Sequence, residues 1–112
     1  STVWFTLLRL AERIREEGLA FEGVATSRDT ERKARELAIP LIGVERAESL
    51  ALTIDGADQV DGRFDMIKGG GGALLREKVV ASISERVVIV VGEDKRVERL
   101  GLGFPLPIEV VP

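Results

Sequence analysis

Residues 50–78 read LALTIDGADQVDGRFDMIKGGGGALLREK. The stretch opens on an apolar run, residues 50–54, that stops at Asp55-Gly56, the pattern of a buried strand in a parallel sheet. Asp61-Gly62 marks a turn, and residues 64–67 read as a second strand. Lys68 then leads into four consecutive glycines and a helix predicted to run to about Ser84. Beyond it, the β-branched run at residues 87–91 predicts a central strand. Strands alternating with helices favour an α/β architecture with a largely parallel sheet.

Upstream, Val3, Trp4, Leu7, Leu8, Ala11 and Ile14 recur at helical spacing, predicting an amphipathic helix over residues 2–17. Ser1 or Thr2 can cap that helix, and Gly18 can end it. Residues 21–25 read as a short strand, residues 26–37 as a charged helix stopped by Pro40, and residues 41–44 as another short strand. Downstream, residues 104–111 read as extended, with Pro105 and Pro107 pushing them toward a sheet edge. The expected fold class is α/β, Rossmann-like: a mostly parallel sheet flanked by helices, in one incomplete domain spanning residues 1–112. Incompleteness is expected because the chain enters a helical pattern without Met and stops after an apolar stretch.

Composition narrows the chemistry. With 112 residues, 45% of them hydrophobic, the chain suffices for one small core. It has neither cysteine nor histidine, so a disulfide framework, thiol nucleophile or zinc-thiolate site is excluded, and any acid or base within it is Asp, Glu or Lys. Net charge is −3, with no basic stripe, which argues against nucleic acid as main partner. No apolar run approaches the roughly 20 residues that span a bilayer. The expectation is a cytoplasmic protein with no membrane partner.

Three places carry candidate chemistry. Asp55-Gly56-Ala57-Asp58 sets two carboxylates at a strand end, where α/β sheets bind ligands; the pair suits proton transfer, a divalent cation, or simply a turn. Lys68-Gly69-Gly70-Gly71-Gly72 lets backbone approach a ligand, and the following helix N-terminus attracts anions; the plainer reading is a flexible loop. Its spacing is neither a P-loop nor a dinucleotide fingerprint. Glu77 lies on that helix and leans back toward the loop, as a base or as a surface partner of Arg76 or Lys78. Lys95 follows the last predicted strand. Ser1, Thr2, Thr26, Ser27 and Thr30 stand at helix starts, where hydroxyls cap.

Together, Asp55-Gly56-Ala57-Asp58 and the stretch from Met66 to Lys78 resemble the two signatures of type A ribose-5-phosphate isomerases. The similarity extends to Ala25–Thr30 and to Phe104-Pro105-Leu106-Pro107-Ile108-Glu109-Val110-Val111-Pro112. The resemblance implies a catalytic domain interconverting ribose 5-phosphate and ribulose 5-phosphate through an enediolate, in the non-oxidative pentose phosphate pathway, without cofactor or metal. It implies Glu77 as general base, Asp55 and Asp58 as the acidic pair on the sugar hydroxyls, and Lys68 as enediolate stabiliser. It further implies substrate contacts from Ser1, Thr2, Gly56, Ala57, Gly69, Gly70, Gly71 and Lys95, and a homo-oligomeric parent, dimer or tetramer, with a sugar phosphate as its small-molecule partner. Gln59 departs from the family pattern, which usually has Glu there. The first strand, the glycine part of the phosphate loop and the C-terminal portion of the family pattern are absent, so the 112-residue piece alone is expected to be inactive or poorly folded. Two other readings remain: a sugar-phosphate-binding effector domain of a transcription regulator, and a nucleotide-binding domain using the glycine run.

Overall fold

The computed structural model describes residues 2–112; Ser1 lies outside them, as does the side chain of Thr2. Helix α1, Thr2–Glu17, ends as its sequence predicts, with Gly18 at a φ of +67° reversing the chain. Its Leu7 and Ala11 form a core with Ala34 of helix α2, Arg28–Glu36, and with Ile39. Val3, Trp4, Leu10, Ile14, Phe21, Leu37 and Leu41 pack around that core. Ala34 is 1% exposed, so the small residue is what lets the two helices approach. Lys33 sits 5.8 Å from the Trp4 ring centroid and adds a cation–π contact across the pair. At the start of α2, the Thr30 amide donates to Ser27 Oγ at 3.1 Å, so Ser27 is the cap.

The two short strands expected at residues 21–25 and 41–44 shrink to one parallel bridge, Gly23 with Leu41. Pro40 has no amide to extend the ladder on one side, and on the other Val44–Arg46 turns into a 3-10 helix.

Strand β1, Leu50–Asp55, is the predicted strand after which the Asp-Gly-Ala-Asp run begins. The chain then forms a hairpin of β2, Gln59–Val60, and β3, Met66–Ile67, paired antiparallel. The second strand of the hairpin is shorter than expected because Asp61 Oδ1 accepts from the amides of Arg63 (2.9 Å) and Asp65 (3.0 Å) and draws them into the turn. Helix α3, Leu74–Ser82, follows the glycines, and β4, Ser84–Ile89, returns parallel to β1 with Leu50 opposite Ser84 and Asp55 opposite Ile89. The helix ends two residues before its expected limit and the strand begins three residues early. Ser84 is the reason: its Oγ donates to Val80 O at 2.8 Å and lies 2.5 Å from Thr53 Oγ1, closing the helix and opening the ladder at one residue.

The architecture is α/β with a parallel sheet and flanking helices, as expected. Strand β1 departs from expectation in its burial. Thr53 and Asp55 are buried, but Leu52 is 47% exposed, and Val87 on β4, opposite Thr53, is 42% exposed. Residues 104–111 are extended but form no strand ladder. Among the described residues, no helix is long and apolar enough to cross a membrane.

Candidate active site

The β1 ladder ends with the Val90 amide donating to Asp55 O at 2.8 Å. Beyond that point the chain leaves the sheet, and a cleft of about 930 Å³ opens there. Asp55, Gly56, Ala57 and Asp58 line it from β1, Lys68 and all four glycines from the hairpin side, Glu77 from α3, and Lys95 from the 3-10 turn Glu93–Lys95. Thr26, Ser27, Arg28 and Thr30 close the opposite wall from the start of α2. Asp55 therefore lies at the carboxyl end of a parallel strand, and Lys95 beyond one. Lys68 arrives differently, from the antiparallel hairpin that folds back when the Asp58 amide donates to Ile67 O at 2.8 Å. Ser1 and the Thr2 side chain, expected at an anion site, lie outside the described residues.

Lys68 is the hub. Its Nζ stands 3.1 Å from Asp55 Oδ2 and 3.3 Å from Glu77 Oε2, and it donates to Gly56 O. All three charged side chains are largely buried, with 15%, 11% and 18% of their side-chain surface exposed for Lys68, Asp55 and Glu77. The place where a cation would stand against Asp55 is taken by this ammonium. Glu77 turns to Lys68, not to its chain neighbours Arg76 and Lys78. The contact is an ion pair without hydrogen-bond alignment, so among the described residues Glu77 Oε2 has no hydrogen-bond partner.

Electrostatics follow from that geometry. Burial pushes the Glu77 carboxyl above the ordinary glutamate range, and the Asp55 charge pushes it further; Lys68 opposes both. A largely buried carboxylate of raised basicity beside an ammonium is an arrangement that can take a proton from carbon while charge develops on a nearby oxygen.

The glycine loop is held from inside. Asp58 Oδ2 accepts from the Gly70 amide at 2.8 Å. A Cβ at Gly70 would stand 2.8 Å from Asp58 Oδ1 and 2.9 Å from Phe104 Cζ, so the position admits only glycine without rearrangement. Gly69 and Gly72 take φ values of +100° and +76°, which glycine adopts without strain. The helix start after the loop was expected to attract an anion, and it does so internally: Glu109 Oε2 accepts from the Leu75 amide at 2.9 Å. Glu109 was not singled out from the sequence; the available signal was a lone acid in an otherwise apolar, proline-rich segment. Gln59, noted only as a departure from pattern, is 5% exposed and bridges the backbone of Gly101 and Leu102.

Residues 22–112 match the family model described as ribose 5-phosphate isomerase A (phosphoriboisomerase A). A curated ribose-5-phosphate isomerase A from Cereibacter sphaeroides is 52% identical over 112 residues, all of this chain and 44% of that protein. Among solved structures, ribose 5-phosphate isomerase A from Methanocaldococcus jannaschii superposes with a TM-score of 0.88 at 36% identity, over 94% of this chain and 47% of the other. A D-ribose-5-phosphate isomerase in complex with phospho-erythronic acid superposes with a TM-score of 0.84 at 30% identity, over 88% of this chain and 44% of the other. The chain spans less than half the length of the curated relatives it matches.

Proposed function

Because the chain belongs to the ribose 5-phosphate isomerase A family, we propose that the full-length protein interconverts ribose 5-phosphate and ribulose 5-phosphate. The observation that carries this reading is the Lys68 ammonium lying between the Asp55 and Glu77 carboxylates at the sheet's carboxyl end. In the open-chain aldose, Glu77 takes the proton from C2. The C–H electron pair becomes the C1–C2 double bond, and the carbonyl electrons move to O1, where Lys68 stabilises the enediolate. Asp55 and Asp58 bind hydroxyls and carry a proton from O2 to O1. Glu77 then returns its proton to C1, leaving the carbonyl at C2.

The base and the electrophile are both supplied by side chains, so the reaction requires neither metal nor cofactor. General-base action of this kind accelerates ~10²–10⁴-fold, or about 3–5 kcal/mol of barrier. Gly56, Ala57, Gly69, Gly70 and Gly71 contact the sugar through backbone, Lys95 binds the substrate as well, and Ser1 and Thr2 serve its phosphate end. The phospho-erythronic acid in the solved relative is a phosphorylated polyhydroxy carbon chain, which supports a sugar-phosphate substrate. The same reading makes the full-length protein a homo-oligomeric cytoplasmic enzyme of the non-oxidative pentose phosphate pathway.

The test is isomerisation of ribose 5-phosphate by the full-length protein with EDTA present. Wild type is expected to turn over, and Glu77→Gln to lose roughly 10²–10⁴-fold in kcat while still binding the sugar phosphate. Retained turnover in Glu77→Gln removes the base assignment. A folded wild type that binds the sugar phosphate without forming product favours the effector-domain reading instead.

A further inference from the structure

Helix α3 carries Glu77 but supplies no side-chain cap of its own. Ala73 occupies its N-cap position, where no side-chain cap hydrogen bond is made. The first amides of a helix have no intrahelical acceptor and need one from elsewhere. Glu109 provides it from 34 residues downstream, its Oε2 accepting from the Leu75 amide at 2.9 Å. The segment that delivers Glu109 is anchored at its other end too. Gln59 Oε1 accepts from the Gly101 amide at 2.9 Å, and Gln59 Nε2 donates to Leu102 O at 2.5 Å.

Between these anchors the segment lies over the glycine loop. Phe104 Cζ stands 2.9 Å from where a Gly70 Cβ would be, and Pro107 Cβ stands 3.6 Å from where a Gly69 Cβ would be. Residues 101–109 therefore form a strap from β2 to the first turn of α3, and the loop under the strap is the one that joins Lys68 to Glu77. Lys68 is fixed separately by Asp55 and Gly56. Glu77 has its ion pair with Lys68 but no side-chain hydrogen bond at Oε2 among the described residues. Its placement thus depends on where the backbone of the first turn sits, two residues beyond the tethered Leu75 amide.

We infer that Glu109 is a positioning residue: it ties the strap to α3 and so holds Glu77 in register with Lys68. The inference rests on the isomerase reading for its kinetic consequence, and on the Leu75 contact alone for its structural one. What matters at this position is an acceptor oxygen at the right reach, not a charge.

Two conservative variants of the full-length protein separate those terms. Glu109→Gln keeps an acceptor at the same reach and removes the charge; Glu109→Asp keeps the charge and withdraws the acceptor by one methylene. Misplacement on the ångström scale costs up to about 10²-fold in rate. The expected result is therefore Glu109→Gln within about threefold of wild-type kcat, and Glu109→Asp down about tenfold or more in kcat with KM within about twofold. Amide exchange at Leu75 is expected to be slow in wild type and Glu109→Gln and about tenfold faster in Glu109→Asp, the signature of local opening. Equal loss in both variants, a change confined to KM, or equal Leu75 exchange in all three proteins overturns the inference. Absence of turnover in wild type would instead sink the isomerase reading, and Leu75 exchange would still decide whether Glu109 is the tether.

Discussion

Glu77 is governed by three neighbours acting with different signs. Burial and the Asp55 charge raise its pKa, and Lys68 lowers it. With Glu77 as the proposed base, which acts only when unprotonated, kcat/KM of the full-length protein is expected to rise with pH along a limb whose midpoint lies above the ordinary glutamate value of about 4.5. Lys68→Met removes the opposing charge and is expected to move that limb to higher pH, besides lowering kcat. Asp55→Asn removes a raising charge and is expected to move it to lower pH. Movement of both limbs in one direction would refute this electrostatic account. A stability effect accompanies the kinetic one. A carboxyl whose folded pKa exceeds its unfolded value binds more protons in the folded state, so its contribution is fully present below about pH 4.5 and is lost as pH rises through the folded pKa. Thermal melts of Glu77→Gln across that range are expected to lack this component.

The glycine loop and the strap over it form a single packed element. The sequence shows four glycines in a row and leaves open whether they mean flexibility or close approach. The packing answers at Gly70, where an added methyl would meet Asp58 Oδ1 at 2.8 Å and Phe104 Cζ at 2.9 Å. Gly70→Ala is therefore expected to destabilise by about 1–3 kcal/mol through overpacking, read as a lower midpoint in denaturant unfolding. Under the proposed isomerase function it is also expected to reduce kcat/KM at least tenfold, by displacing Asp58 and the loop beside Lys68, within the range that small misplacements produce. Gly71→Ala is the contrast, since a Cβ there meets nothing within 4 Å. Its stability is expected to stay within about 1 kcal/mol of wild type, because Gly-to-Ala effects without strain are of that size.

At the scale of the whole chain, the 112 residues are looser than their number requires. The radius of gyration is 14.8 Å, against about 13 Å for a compact domain of this length. Large apolar side chains lie open on several elements: Phe5 on α1, Leu52 and Val87 on the parallel pair, Phe64 at the hairpin turn, and Leu106, Ile108, Val110 and Val111 on the final segment. Large apolar side chains exposed in this number are a partner surface or an aggregation hazard. Expressed alone, residues 1–112 are expected to bind a hydrophobic dye and to melt with low cooperativity. The full-length protein is expected to do neither, and equal dye binding by both would show that these surfaces stay open in the longer chain.

The sequence by itself determined what depends on local order: the helix over α1, the strand ending at Asp55, the glycine run, and the residue types that limit chemistry to carboxylates and amines. These follow from periodicity, from the backbone freedom of glycine and from the absence of histidine and cysteine. It did not determine that Glu77 faces Lys68 in preference to Arg76 or Lys78, since a helix position has several neighbours and only the hairpin's return places Lys68 against it. Nor did it show that residues 104–111 would run as a strap instead of an edge strand, or that Glu109 would accept from the Leu75 amide at the helix start. Those outcomes turn on contacts between residues tens of positions apart, such as Glu109 with Leu75 and Gln59 with Leu102. No local pattern encodes them, because they exist only once the hairpin, the helix and the parallel strands have packed.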